Sequence, residues 1–319
     1  MTNNDITEKS SAVISDFTNF LNEQELSAGA IAVAYEGELV DSAGVNRQAT
    51  DIAPVASLSK AITAVCTIKA LELGNFQTSA KLGEVMPATL AGLETSDDRL
   101  RDITVLQLLT HNSGIHTAHV SVLGTTIPTM RLEQKNWQLE FIARDGLAAD
   151  PGSGYVYANA NYLILGIIIE AIVQDDYENW CQQQVLQPLG ITSARLSPTW
   201  TLLSAFGGWE ISATDYLTFV NAYYKPDNII GQDPDTTTLF TTVNGNVRYS
   251  LGTLMLLSPS GAVFWHAGSF TWQSSEQSGR FGAYFAVYPN GYSVSVNLSD
   301  DLNDSRASEL DSLLFQLAQ

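Results

Sequence analysis

The sequence predicts an α+β fold: one antiparallel β-sheet flanked by terminal helices, with an all-helical lobe inserted between its two halves. Three observations predict it. A helical pattern and then a hairpin pattern open the chain, helical periodicity dominates residues 75–205, and alternating strand-like segments run from Val243 to Leu298 before a last helix. Strands at both ends of a chain pack most economically as one sheet, with the middle set apart as a second layer. The expected division is residues 1–74 with 206–319 for the sheet unit and 75–205 for the helical unit. A crevice between two such units is where a ligand is expected.

Taken in order, residues 6–24 place Val13, Ile14, Phe17, Phe20 and Leu21 on one helical face. Ala28 to Tyr35 and Leu39 to Val45 are apolar runs joined by Glu36-Gly37-Glu38, which reads as a β-hairpin. A helix is expected from Ser57 to about Leu73, stopped at Gly74 and Asn75. Thr104 caps a short helix through Leu109, and Arg131 to Arg144 is helical. Asp150 to Gly154 is a turn cluster, and Tyr155 to Asn161 leads into an apolar helix ending at Val173, with another from Asp175 to Val185. Ser212 to Asp215 is a capping box for a helix over Tyr216 to Tyr224. Strands are then expected at Val247–Leu257, Ala262–His266, Phe281–Tyr288 and Tyr292–Leu298, with Pro289 to Gly291 as a hairpin turn. Asp304 to Leu317 is the closing helix.

Composition removes several classes of function. The net charge is -19, from 34 acidic against 15 basic residues spread along 319 positions, which argues against nucleic-acid binding and against long-range capture of anions. The densest apolar run, Tyr162 to Val173, is interrupted by Gly166 and Glu170 and is too short to span a membrane. Residues 1–8 carry neither a basic segment nor an apolar core, so a cytoplasmic location is expected, or a periplasmic or secreted one if Met1 replaces a cleaved leader. Cys66 and Cys181 are expected to be two buried free thiols.

The chemistry centres on Ser57 and Lys60, three apart and so on one face of the central helix. A serine hydroxyl needs a base, and a lysine serves as one only when its pKa is depressed. Apolar residues from Ala61 to Leu71 surround this helix, so it belongs in the interior, where a charged amine is costly. A chain of this length holds on the order of one S-x-x-K by chance, so the pair needs partners. Tyr157 and Asn159 sit between a Pro-Gly turn and a buried helix, and the phenol is a candidate general base if a cation lowers its pKa. His266 and Gly268 end a strand, and the amides of Ser57 and Ser269 could form an oxyanion hole. His111, His116 and His119 suggest a metal, but no carboxylate or cysteine joins them at ligand spacing. They read as one structural histidine in a turn and two in a loop. No metal or cofactor is implied.

In this order, Ser57-Leu-Ser-Lys60, Tyr157-Ala-Asn159 and His266-Ala-Gly268 resemble the three motifs of the class C β-lactamase and DD-peptidase superfamily of serine hydrolases. Leu108-Leu-Thr-His-Asn-Ser-Gly-Ile115, the run from Pro151 to Gly166, and Gly207 to Phe219 are similar to further stretches of that family, so the likeness covers roughly residues 28–300. The resemblance implies that Ser57 is acylated, that Lys60 and Tyr157 handle its proton, and that Asn159 holds Lys60 and the substrate amide. It implies too that His266 and Gly268 line the acyl group, with the Ser57 and Ser269 amides on the oxyanion. Two departures bear on substrate. Histidine stands where many members carry a lysine that holds the β-lactam carboxylate, and Ser269 to Gly279 replaces a shorter stretch and brings Phe270 and Trp272 to the cleft wall. The expectation is a serine hydrolase for a small ester or amide, esterase first, then a D-amino-acid peptidase or DD-peptidase, then a β-lactamase. An acyltransferase and a non-catalytic binding protein of the same fold are the remaining readings.

Overall fold

A computed structural model of the chain describes residues 2–117, 135–198, 204–224, 239–273 and 278–319. Helix α1 (Asn3–Glu23) starts at a reciprocal cap between Thr2 and Asp5 and buries Val13, Phe17, Phe20 and Leu21. β1 (Gly29–Tyr35) and β2 (Glu38–Val45) follow as the expected hairpin. Its two-residue turn places Glu36 and Gly37 at positive φ, the geometry that matches the twist of paired strands. The chain then crosses to the other face of the sheet through β3 (Ala53–Pro54) and enters α2 (Ser59–Gly74), which is buried on nearly every side. α2 begins two residues later than expected, because Ala56–Leu58 forms a separate tight turn that carries Ser57.

The intervening segment is helical. It holds α3 (Val105–Leu109), capped by Thr104 and Gln107, then α4 (Lys135–Asp145), α5 (Asn159–Val173) and α6 (Tyr177–Cys181). The helix expected over 175–185 is α6 continued by one wider turn, Gln182–Leu186. A small sheet not foreseen from the sequence joins β3 to β5 (Trp209–Ile211) and β5 to β4 (Arg195–Leu196). α7 (Ala213–Tyr223) starts at Ser212, whose hydroxyl accepts the Asp215 amide. Cys66 of α2 and Cys181 of α6 form a disulfide, correcting the expectation of free thiols; partners 115 residues apart leave no local signature.

The C-terminal third supplies β6 (Thr241–Asn244), β7 (Val247–Ser250), β8 (Thr253–Ser258), β9 (Gly261–Gln273), β10 (Ser278–Val287) and β11 (Tyr292–Leu298). The single strand expected over Val247–Leu257 is two strands, since Leu251 and Gly252 both take positive φ and turn the chain back. The stretch from Ser269 to Gly279 is largely paired strand, with Trp272 opposite Gly279. All eight long strands make one sheet in the order β2-β1-β11-β10-β9-β8-β7-β6, and β1 pairs antiparallel with β11 from Gly29–Leu298 to Tyr35–Tyr292. Both termini therefore build the sheet, as expected.

Alternation along the strands divides two cores. Ile31 and Val33 of β1, with Tyr284 and Ala286 of β10, pack against α1 and the closing helix α8 (Asp304–Leu314). Ala30, Ala32 and Ala34, with Ala283 and Phe285, lie on the face that α7 covers and share one core with residues of α2 and α5. Among the described residues no helix is long and apolar enough to cross a membrane.

Candidate active site

The tight turn before α2 presents Ser57. Ala56 sits in the left-handed region at φ 46°, a conformation that costs on the order of 1–3 kcal/mol and persists only where neighbours over-determine it. Here the Val55 amide donates to the Trp209 carbonyl at 3.1 Å, and the Tyr216 hydroxyl of α7 donates to the Leu58 carbonyl at 2.9 Å. β9 presses on the same turn at Gly268. A Cβ there would stand 2.4 Å from the Val55 oxygen and 3.2 Å from the Ser57 amide nitrogen. Glycine is needed at this point for close approach of two backbones.

Lys60 lies one turn along α2 and is fully buried. Its Nζ is 3.1 Å from Ser57 Oγ and donates to the Phe206 carbonyl at 2.8 Å. It also lies over the Tyr157 ring, 4.9 Å from the centroid, and makes no ion pair among the described residues. The Tyr157 hydroxyl reaches Ser57 Oγ from the other side at 3.0 Å. Amine and phenol thus converge on the hydroxyl oxygen of Ser57. The resemblance implied that Asn159 holds Lys60; the Phe206 carbonyl takes that bond instead, and Asn159 Oδ1 is buried without a partner.

His266 of β9 is buried 6.2 Å from Tyr157, ring to ring. Its Nδ1 donates to the Ala267 carbonyl at 2.6 Å, and Nε2 accepts from the Tyr249 hydroxyl at 3.2 Å. Both ring nitrogens are therefore taken. Ser269 turns its hydroxyl to the opposite face of the sheet, where it accepts the Leu302 amide at 3.0 Å. Phe270 packs on Phe281 with 5.5 Å between centroids, while the side chain of Trp272 lies outside the described residues. His111 is buried behind Tyr157, His116 is exposed, and His119 lies outside the described residues. Among the described residues no three metal-ligating side chains cluster. The Phe206 carbonyl and Tyr249 were not foreseen: a main-chain acceptor has no residue signature, and Tyr249 reads as an ordinary strand aromatic.

A family model described as Beta-lactamase matches residues 13–318. The chain belongs to that family. It is 26% identical over 182 residues to a protein of Escherichia coli (strain K12) named "Putative D-alanyl-D-alanine carboxypeptidase", an alignment spanning 56% of this chain and 38% of the relative. It is 28% identical over 193 residues to "Putative penicillin-binding protein PbpX" of Bacillus subtilis (strain 168), spanning 57% of this chain and 44% of that one. The matched regions are thus less than half the length of these curated relatives. Among solved structures, the octameric penicillin-binding protein homologue from Pyrococcus abyssi superposes with a TM-score of 0.74 at 18% identity, covering 97% of this chain and 78% of that one. The β-lactamase/D-alanine carboxypeptidase from Pseudomonas syringae gives 0.74 at 16% identity, with 98% and 99% covered. These likenesses establish the fold.

Within this Beta-lactamase family site, burial sets the charge states. Desolvation holds Lys60 well below the ordinary lysine value of 10.5. Desolvation pushes the Tyr157 phenol above its ordinary value of 10.0, against a smaller opposite effect of the Ser57 hydrogen bond. An ammonium with a phenolate and an amine with a phenol hold the same number of protons. In a buried, aromatic-lined site the uncharged pair is the cheaper arrangement. The sequence leaves open a phenolate or a hydrogen-bonded tyrosine as the base; the structure favours a neutral amine beside a phenol. Burial and the proximity of Lys60 hold His266 down to about 3, so its imidazole is neutral at pH 7.

Proposed function

We propose that this chain is a serine hydrolase that cleaves a small ester through an acyl-enzyme on Ser57. The observation that carries the reading is the placement of Ser57 Oγ within hydrogen-bond reach of both Lys60 Nζ, at 3.1 Å, and the Tyr157 hydroxyl, at 3.0 Å. Neutral Lys60 accepts the Ser57 proton as Oγ bonds to the substrate carbonyl carbon. The Tyr157 phenol donates a proton to the departing alkoxide as the carbon–oxygen bond breaks, and is reprotonated from Lys60. Water then attacks the ester of Ser57 by the reverse proton route, releasing the acid and restoring the hydroxyl. The amides of Ser57 and Ser269 hold the oxyanion in this scheme, and Asn159 lies beside Tyr157 on the amide side of a substrate that has one. Phe270 supports an apolar acyl group, and Trp272 is placed on the same strand.

An ester is favoured over a β-lactam or a C-terminal peptide because His266 has no donor left for a carboxylate. A D-amino-acid amidase or peptidase is the second reading, favoured by the names of the relatives and by a D-stereospecific amidohydrolase from Streptomyces sp. among the structural neighbours, with a TM-score of 0.70 at 18% identity. The Cys66–Cys181 disulfide favours an oxidising compartment over the cytoplasm.

The test is intact-mass analysis after incubation with a fluorophosphonate, followed by turnover of p-nitrophenyl acetate, D-Ala-D-Ala peptides and nitrocefin. One adduct, absent from Ser57→Ala, with fastest turnover of the ester, is expected. No adduct on the wild-type chain would leave a binding protein, and fast D-peptide cleavage with inert esters would put the second reading first.

A further inference from the structure

His111 is a buried titratable group that the scheme above does not use. It stands just past α3, 47 residues from the segment it touches. Its backbone is in the left-handed region at φ 56°, which turns its carbonyl and its ring toward the same stretch of chain. The carbonyl accepts the Val156 amide at 2.8 Å, and ring Nδ1 accepts the Ala158 amide at 3.2 Å. Those two amides flank Tyr157. The imidazole also lies against the phenol ring, with 4.3 Å between centroids at a tilt of 41°.

We propose that His111 is a positioning residue for Tyr157, gripping the main chain on both sides of the phenol while its ring backs the phenol face. The proposal rests on the hydrolase reading given above. Asn161 fixes which nitrogen does the work. Its Nδ2 is 2.9 Å from His111 Nδ1, and its Oδ1 accepts the Ser113 hydroxyl at 2.6 Å, so the amide donates toward the ring. Two donors at Nδ1 leave the proton on Nε2, and Nε2 has no partner among the described residues. A histidine protonated on Nδ1 would lose both bonds at once. The titratable groups around the ring are Lys60, His266 and the tyrosines 155, 157, 162 and 249; burial and the two basic neighbours hold His111 neutral.

This differs from a purely packing role. A packing histidine needs volume, whereas the positioning role needs an acceptor at the Nδ1 place. Asparagine and glycine both suit a left-handed backbone, but only asparagine offers an oxygen there. With an alkyl ester such as ethyl acetate, whose alkoxide must be protonated as it leaves, His111→Gly is expected to lose on the order of 10²-fold in kcat with little change in KM, as a misplaced reacting group does. His111→Asn is expected to stay within about fivefold of wild type on the same measure. Rates are referred to the folded fraction from thermal melts, so a destabilised variant is still scored. Independently, nitrogen-15 NMR of wild-type protein is expected to show His111 protonated at Nε2 alone from about the ordinary imidazole pKa of 6.5 upward.

A glycine variant as fast as wild type, an asparagine variant no better than glycine, or a proton on Nδ1 overturns the assignment to His111. If the wild-type chain takes up no acyl group on Ser57, the hydrolase reading falls, and this proposal falls with it. Normal wild-type acylation with an unaffected glycine variant sinks only the role of His111.

Discussion

Lys60 donates from Nζ to the main-chain carbonyl of Phe206 at 2.8 Å, joining residues 146 apart in sequence. Two more bonds lace the same segment to α2: Thr63 donates from its hydroxyl to the Ala205 carbonyl, and the Trp209 amide donates to Ser59 Oγ at 3.1 Å. The amine is therefore held by a polar acceptor with no negative charge. That arrangement keeps it in place without keeping it protonated.

A pH signature follows for Lys60. Its folded-state pKa lies well below 10.5, so between the two values the unfolded chain binds the extra proton and stability rises with pH. Lys60→Met removes this contribution. Urea denaturation at steps from about pH 7 to about pH 10 should give a flatter stability curve for the variant, with ester turnover down on the order of 10²–10⁴-fold. Parallel stability curves for the two proteins would count against a depressed lysine.

The buried histidines act at the acid end. His266 titrates at about 3 when folded against 6.5 when exposed, so the unfolded state gains a proton first as pH falls through 6.5. Stability attributable to this residue is complete above 6.5 and declines toward pH 3. A tenfold change in proton affinity is worth about 1.4 kcal/mol, which makes the loss on the order of 4–5 kcal/mol. His266→Gln is expected to soften acid unfolding across that interval, read by circular dichroism. A variant that unfolds at the same pH as wild type would refute it.

Gly268→Ala tests the contact between β9 and the Ser57 turn. The added methyl would sit 2.4 Å from the Val55 oxygen and 3.2 Å from the Ser57 amide nitrogen. Either the turn moves or the strand does, and the Ser57 amide proposed to face a developing oxyanion is displaced. Loss of one such donor costs on the order of 10²–10³-fold in kcat, which is the expected fall in ester turnover. Unchanged kcat would mean that the Ser57 amide takes no part.

The disulfide makes a chemical prediction. Thiol titration of the unfolded, unreduced chain is expected to find no free cysteine. Because Cys66 and Cys181 are 115 residues apart, replacing both with alanine should cost about 2–5 kcal/mol of stability. Two titrating thiols in the purified oxidised protein would be the contrary result.

What the sequence disclosed depended on range. Ser57 and Lys60 are three apart, and Tyr157 is marked by the turn before it and the buried helix after it, so local spacing and order sufficed. Their charge states are another matter: spacing leaves a phenolate and a hydrogen-bonded phenol both open, and the burial that decides between them is a property of the packed molecule. Gly252 was read as a residue within a strand, because a glycine inside an apolar run does not announce a reversal. The strand expected over Ala262–His266 runs on through Gln273, because the serine- and glutamine-rich stretch that lengthens the cleft wall shows no strand period. The strands Ala53–Pro54 and Arg195–Leu196 are too short to show a period. The turn holding His111 was legible; its grip on the Tyr157 backbone, across 47 residues, was not.

The pairing of Gly29 with Leu298 sets the order in which the molecule can be made. During synthesis β1 waits, one edge bare, until β11, the last strand of this sheet, arrives to cover it. Such distant pairing makes for slow closure and a nascent chain exposed to aggregation meanwhile. A polypeptide cut short before Tyr292 would lose β11, an interior strand held between β1 and β10, rather than a dispensable tail, so exposure during synthesis is built into the topology itself.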